Sequence, residues 1–397
     1  MTSPGPTIRR IRAHAITIPR ETPYLGGLES GTPVTAGGYF VRPGNRSVYN
    51  VDDQSVLLQI ELEDGTIGWG EAVAFYAPET LLALCERLVG PLIIGRSVHE
   101  VVGMYDDLYD AMRVRGFFGG YYHDMLAALD IALWDARGRS VGLSVAEMIG
   151  GTPRQEIPAY ISGLPGKTIE EKQSLAFSWL ERGFTRFKFA AAVAKAGSAG
   201  EMAAIREAVG AEAAIAADLH WNFSAGEAMS LIRGLRKYDL WFAEAPCRPE
   251  DIQGLANVAA AVPVPIAGGE ELRTVYEYLP RLERRAFSIV QPEMGRTGIT
   301  SFLRIGDLAK AFHCSMFPHA SIGIGVFQAA SLHASAGMSN APYHEYQHSV
   351  FDRNLQFLEG DMSCQDGAFR LPSGPGLGVT PSDLVEQYIR QTTEVAL

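Results

Sequence analysis

The chain has 397 residues, more than one hydrophobic core usually organises, so it calls for two or three domains or one large barrel with additions. Hydrophobic residues make up 47% and charged residues 20%, the composition of a globular protein, which excludes disorder and collagen-like structure. A net charge of −11 argues against nucleic acid or an anionic membrane surface as partner, yet leaves small anionic substrates open.

In chain order, residues 8–18 and 55–63 read as strands, and Asp64-Gly65 after the second is a strong hairpin signal. Between them, residues 21–50 are rich in Gly, Pro, Ser and Thr with little periodicity, which marks a disordered loop or a functional lid. Segments 79–90, 98–112 and 122–139 carry apolar residues at helical spacing. Residues 1–150 therefore form an α+β unit in this reading. Beyond Gly150-Gly151, short apolar strands alternate with helical stretches: 157–161, 185–190, 213–218, 240–244, 264–268, 287–291, 313–318 and 342–346. Seven or eight βα repeats point to a parallel barrel across residues 151–364. The rival, an open doubly wound sheet, lacks its GxGxxG signal after any strand. The tail from about 365, a Gly/Pro turn and one helix, is expected to return to the first unit.

Cys85, Cys247, Cys314 and Cys364 lie far apart with no CxxC pair, so neither a disulfide framework nor a thiolate zinc site is indicated and a reducing cytoplasm fits best. No run has signal-peptide character, and none offers the roughly 20 apolar residues of a membrane span.

A parallel barrel does its chemistry at the C-terminal ends of its strands. The polar residues that close the apolar runs are Lys188, Asp218 with His220, Glu244, Glu270, Glu293, His319 and Glu345. Asp218, Glu244 and Glu270 follow one another at intervals of 26 residues, one carboxylate per strand. Single acids at such positions often cap helices, but three in register would repel unless a cation joins them. All-oxygen donors favour a hard ion, Mg²⁺ rather than Zn²⁺. Alternation along a strand turns Asp218 and His220 to the same side. Glu293 on the adjacent strand is placed to hold the His319 imidazole as a base.

With these residues placed, the chain resembles the enolase superfamily, in its mandelate racemase-like subgroup. The resemblance rests on WGE at 69–71, ALDIALWD at 128–135, GFTRFK at 183–188, Asp218, Glu244, GGE at 268–270, QPEMGRTGIT at 291–300, His319 and GPGLG at 374–378. It implies a capping α+β domain over a modified (β/α)₇β barrel, with Asp218, Glu244 and Glu270 as Mg²⁺ ligands. It also implies removal of the proton α to a carboxylate, with Lys188 and Glu345 at the carboxylate oxygens. The second lysine of the subgroup's KxK motif is Ala190 here, which disfavours a two-base racemase. Asp-x-His at 218–220 resembles galactonate-type acid-sugar dehydratases, in which that histidine protonates the departing β-hydroxyl.

The resulting expectation is a Mg²⁺-dependent acid-sugar dehydratase: His319, oriented by Glu293, takes the C2 proton and His220 protonates the C3 hydroxyl. A cycloisomerase opening a lactone or anhydro ring is the first alternative, and a barrel that binds a sugar acid without turnover the second. Expected partners are a small sugar acid and further copies of the chain, with no nucleic acid and no membrane. Tyr24, Arg42 and Arg46 in the 21–50 loop are candidate substrate contacts, each with a solvated loop as its plainer role, and 117–124 reads equally as pocket wall or helix packing.

Overall fold

The computed structural model describes residues 5–150, 152–194, 196–321 and 323–397. Its strands are β1 (Ile8–Ile18), β2 (Tyr39–Val41), β3 (Val48–Asn50), β4 (Asp53–Leu62), β5 (Ile67–Val73), β6 (Glu156–Ser162), β7 (Arg186–Ala190), β8 (Ala214–Asp218), β9 (Leu240–Glu244), β10 (Ile266–Gly268), β11 (Ile289–Val290), β12 (Ser315–Met316), β13 (His344–Tyr346), β14 (Leu358–Glu359), β15 (Cys364–Gln365), β16 (Ala368–Arg370), β17 (Thr380–Pro381) and β18 (Ile389–Ala396). The helices that matter below are α1 (Glu79–Leu84), α2 (Gly90–Ile93), α3 (Val101–Arg113), α4 (Gly120–Val141), α5 (Val145–Ile149), α6 (Ile169–Glu181), α7 (Gly197–Val209), α8 (Ala225–Leu235), α9 (Ile252–Ala261), α10 (Val275–Glu283), α11 (Met294–Ala311), α12 (Val326–Ala336) and α13 (His348–Asn354).

The first sheet runs β18-β1-β4-β5, all antiparallel. The β4–β5 turn is the one foreseen: Gly65 takes a left-handed φ of 85°, and Asp64 Oδ1 accepts the Thr66 N–H at 2.9 Å. Helix α4 is buried nearly all round because it has the sheet on one side and α11 on the other. Gly68 and Gly70 allow β5 to lie directly on its backbone: a Cβ at Gly70 would land on the Ala128 carbonyl and stand 2.7 Å from the Ala132 nitrogen. Toward α11, Trp134 Nε1 donates to Thr300 Oγ1 at 3.1 Å.

From β6 the chain makes the barrel of the fold class anticipated. Eight strands stand in the order β13-β6-β7-β8-β9-β10-β11-β12, each neighbour parallel. The seam between β12 and β13 is crossed by a backbone bond from Glu345 N–H to Pro318 O at 3.4 Å. Tyr160, Ala216, Phe242, Ala267, Ile289 and Phe317 pack inside the ring as an apolar plug, so polar side chains are confined to the mouth at the strand ends.

The tail departs from the expected turn and single helix. β15 and β16 form a hairpin whose second strand pairs antiparallel with β6, Arg370 opposite Glu156. Residues Asp383–Tyr388 make only 3₁₀ turns, and the polar, β-branched stretch after them becomes the edge strand β18 on β1. Short local propensity lost to an available sheet edge. The four cysteines are buried and free. Among the described residues no helix is long and apolar enough to cross a membrane.

Candidate active site

Each apolar barrel strand ends where its next residue would leave the plug, and the polar residues singled out from the sequence stand there. Ala190, Asp218 and Glu244 are neighbours in register across β7, β8 and β9, and Glu293 pairs with His319 as an isolated parallel bridge beyond β11 and β12. Lys188, Ala190, Asp218, His220, Glu270, His319 and Glu345 line one cavity. Glu244 and Glu293, both fully buried, bond to side chains in that wall.

Lys188 Nζ donates to both Glu244 oxygens and to Glu345 Oε1, each at 2.8 Å. Burial disfavours its ammonium form, but Glu244, Glu345, Tyr160 and Asp218 outweigh burial and raise the lysine well above its usual range. It is a fixed cation. Glu345 is an acceptor on both sides, since its Oε2 takes the Ala320 N–H at 3.0 Å. Gln291 Nε2 donates to Glu244 Oε2 at 2.6 Å.

His319 sits between two carboxylates: Nδ1 is 2.8 Å from Glu293 Oε2 and Nε2 is 2.8 Å from Glu270 Oε2. Burial works against its charged form, yet Glu270, Glu345 and Glu293 hold it well above the ordinary histidine range. Burial likewise works to raise Glu270, and His319, Lys188 and His220 overcome it and depress that carboxyl. Asp218 and Glu244 go the other way: burial and the neighbouring carboxylates push both up against the pull of Lys188.

His220 reaches the cavity by a different route from the one expected. β8 stops at Asp218, and His220 and Trp221 take left-handed φ values of 49° and 53°. The resulting turn folds the histidine back, with Asp218 Oδ1 accepting its N–H at 2.9 Å and Oδ2 lying 3.0 Å from its Nε2. The expected alternation of a continuing strand is thus replaced by a tight turn with the same outcome.

The ligand atoms of Glu244, Glu270 and His319 lie within 4.8 Å of one another, a set that differs from the Asp218, Glu244 and Glu270 triad by one member. His220 holds Asp218 to its own side, while His319 is drawn onto Glu270.

The 21–50 segment is a lid over this mouth, and it contains the unforeseen hairpin β2–β3, whose turn signal Pro43-Gly44-Asn45 stands between Tyr39-Phe40 and Tyr49. Tyr24 lines the cavity, its hydroxyl taking a bond from Gln347 Nε2 at 2.8 Å. Arg42 holds the lid together: it donates to the Tyr24 and Gly26 carbonyls at 2.6 and 2.5 Å and covers the Phe40 and Tyr49 rings. Arg46 is exposed. Asn222 Nδ2 donates to the Gly44 carbonyl, tying the lid to the His220 turn. In 117–124, Phe117 and Phe118 are exposed while Asp124 is bound by Arg273 at 2.8 and 3.1 Å, so this segment packs helices instead of walling the cavity.

Three residues of this region carry no assigned role in the sequence reading, although Glu71 closes WGE at 69–71 and Arg296 lies within QPEMGRTGIT at 291–300. Tyr49 and Arg296 line the cavity. Glu71, on β5, accepts backbone N–H groups of Ile324, Gly325, Val326 and Phe327 at 2.6 to 3.4 Å and so caps α12, next to the His319 segment.

Residues 32–150 match the family model of the mandelate racemase/muconate lactonizing enzyme N-terminal domain, and residues 172–385 match the enolase C-terminal domain-like model. The chain belongs to the enolase superfamily. It is 47% identical to a solved member of that superfamily from Agrobacterium tumefaciens, covering 98% of this chain and 100% of that one with a TM-score of 0.94. It is 30% identical to the D-galactonate dehydratase of Ralstonia nicotianae (84% of this chain, 90% of that protein). It is also 30% identical to the D-galactarolactone cycloisomerase of Agrobacterium fabrum (82% and 88%).

Proposed function

We propose that this enolase-superfamily member is a Mg²⁺-dependent acid-sugar dehydratase. The reading is carried by one arrangement: two histidines, each held by a carboxylate, face a single cavity from β8 and β12, which stand four apart in a ring of eight strands. The Glu293 contact holds the His319 ring by Nδ1, so that Nε2, once released from Glu270, takes the C2 proton. His220, from the opposite wall, supplies a proton to the C3 hydroxyl as it leaves as water. Removal and delivery from opposite walls make this an anti elimination, and the enol ketonises to a 2-keto-3-deoxy acid. Lys188, locked by Glu244 and Glu345, remains charged and holds the reacting carboxylate. Ala190 leaves the other face without a second base, which accounts for proton removal from one side only.

Asp218, Glu244 and Glu270 would hold the metal. Their oxygen donors suit a hard divalent ion, and the upward push on Asp218 and Glu244, from burial first and neighbouring carboxylates second, is what such an ion would relieve. When bound, it supplies the positive charge that stabilises negative charge gathering on the substrate carboxylate. We take this triad over the set containing His319, because His319 is then left free to act as base. In the same reading residues 1–150 and the end of the chain form the cap, residues 151–364 form the barrel, and the protein works in the cytoplasm as a homo-oligomer.

The cycloisomerase relative supports a second reading, in which the same α-proton loss expels a ring oxygen. Product mass separates the two, since only dehydration loses water. With Mg²⁺ and a panel of aldonic and aldaric acids, His319→Asn and His220→Asn should each lower dehydration by about 10²-fold or more. Two variants turning over near the wild-type rate would overturn the assignment.

A further inference from the structure

The cavity contains a cation that the proposed reaction does not use. Lys188 is bound by Glu244 and Glu345, His220 by Asp218, and His319 by Glu270 and Glu293. Among the described residues lining the cavity, Arg296 is the one cation without an ion pair. Its Nε is buried without a partner. Arg296 is half-buried, and a guanidinium N–H held out of water without an acceptor is costly unless a ligand provides one. Next to it in the wall stands Glu271, whose Oε2 is also buried and unpartnered. The two feel each other's charge but form no ion pair. Asp124, a second carboxylate within reach of the Arg296 charge, is already taken by Arg273.

Position completes the argument. Arg296 lies in the first turn of α11, directly beyond β11, four strands around the ring from the β7 strand that carries Lys188. A substrate whose reacting carboxylate sits at Lys188 therefore extends its far end toward Arg296. The fork of a guanidinium matches a carboxylate in two parallel bonds, and a lone carboxylate oxygen beside it accepts a hydroxyl. Together the pair fits a carboxylate attached to a hydroxyl-bearing carbon.

We infer that Arg296 binds a second, distal carboxylate of the substrate, with Glu271 accepting the hydroxyl next to it, so that the preferred ligand is an aldaric acid, not an aldonic one. This rests on the sugar-acid reading above and narrows it. The dehydratase and cycloisomerase relatives do not decide the matter, since one is named for a monoacid and the other for the lactone of a diacid.

The test uses full-length protein with Mg²⁺ and the His319→Asn background, which leaves ligands intact during calorimetry. Galactarate should bind at least tenfold more tightly than D-galactonate. Adding Arg296→Met should erase that preference while leaving galactonate affinity within about twofold, and Arg296→Lys, which keeps charge but not the fork, should recover part of it. A preference unchanged by Arg296→Met, a preference for galactonate, or equal losses for both ligands in both variants would overturn the inference. Wild-type turnover is measured in parallel. Dehydration of galactonate with no diacid preference would defeat this inference alone. A diacid preference that depends on Arg296, with no turnover of either acid, would defeat the dehydratase reading alone.

Discussion

Glu71 joins the two halves of the molecule at a point where the cost of removing it can be worked out. It is fully buried on β5, and its oxygens divide the work: Oε1 accepts Ile324 N–H at 2.6 Å, while Oε2 accepts Gly325, Val326 and Phe327 N–H at 3.2, 3.0 and 3.4 Å. These are donors that the start of α12 cannot satisfy within the helix, and its N-cap, Gly325, has no side chain to help. In Glu71→Gln one oxygen remains and an amide N–H₂ confronts the other donors. The smaller loss strands one charge-assisted bond, worth about 1.5–3 kcal/mol, and weakens the rest to neutral strength. Burial pushes the Glu71 carboxyl above its usual range, and escaping that penalty offsets part of the loss. The expected net destabilisation is about 2–4 kcal/mol. Urea unfolding followed by tryptophan fluorescence should show a lower midpoint at unchanged slope. Activity should fall as well, because the cap anchors the segment that leads from His319 to α12. A Glu71→Gln protein that unfolds at the wild-type midpoint would refute the capping argument.

Asp130 accepts the Thr300 N–H and hydroxyl at 2.7 and 2.6 Å in a fully buried setting, and burial pushes its carboxyl up to about 7. A raised carboxyl favours the fold below the unfolded value of 3.8 and loses that contribution as pH rises through 7. The Asp130 contribution should thus fall by about 3 kcal/mol between pH 5 and 8, read as the difference between the wild-type and Asp130→Asn stability curves; parallel curves would count against it. Gly70→Ala, whose added carbon meets the α4 backbone, should destabilise by roughly 3 kcal/mol or more in the same unfolding assay, whereas Gly65→Ala, with open space around its Cβ, should lose only the cost of its left-handed turn.

The strand-end residues were legible because their signal is local. Each barrel strand announces itself as a short apolar run closed by a charged residue, and a steady βα rhythm assigns those charges to one rim. That is why Lys188, Asp218, Glu244, Glu270, Glu293, His319 and Glu345 can be gathered from the sequence alone, and why the structure brings them to one mouth. His220 shows the limit of such reasoning: parity along a strand placed it on the right side, although a left-handed turn is what turns it there. The roles that the sequence did not reveal depend on partners remote in the chain. Glu71 meets its N–H groups about 250 positions later, β18 finds β1 across nearly the whole chain, and Arg296 stands out only once every other cation in the wall is seen to be paired. No window of sequence contains those relations. In the proposed function, the shared chemistry lies in residues whose type and spacing carry it, whereas selectivity lies in what the folded cavity leaves unsatisfied. An unpaired guanidinium is such a remainder, and it is visible only after the pairing of its neighbours has been accounted for.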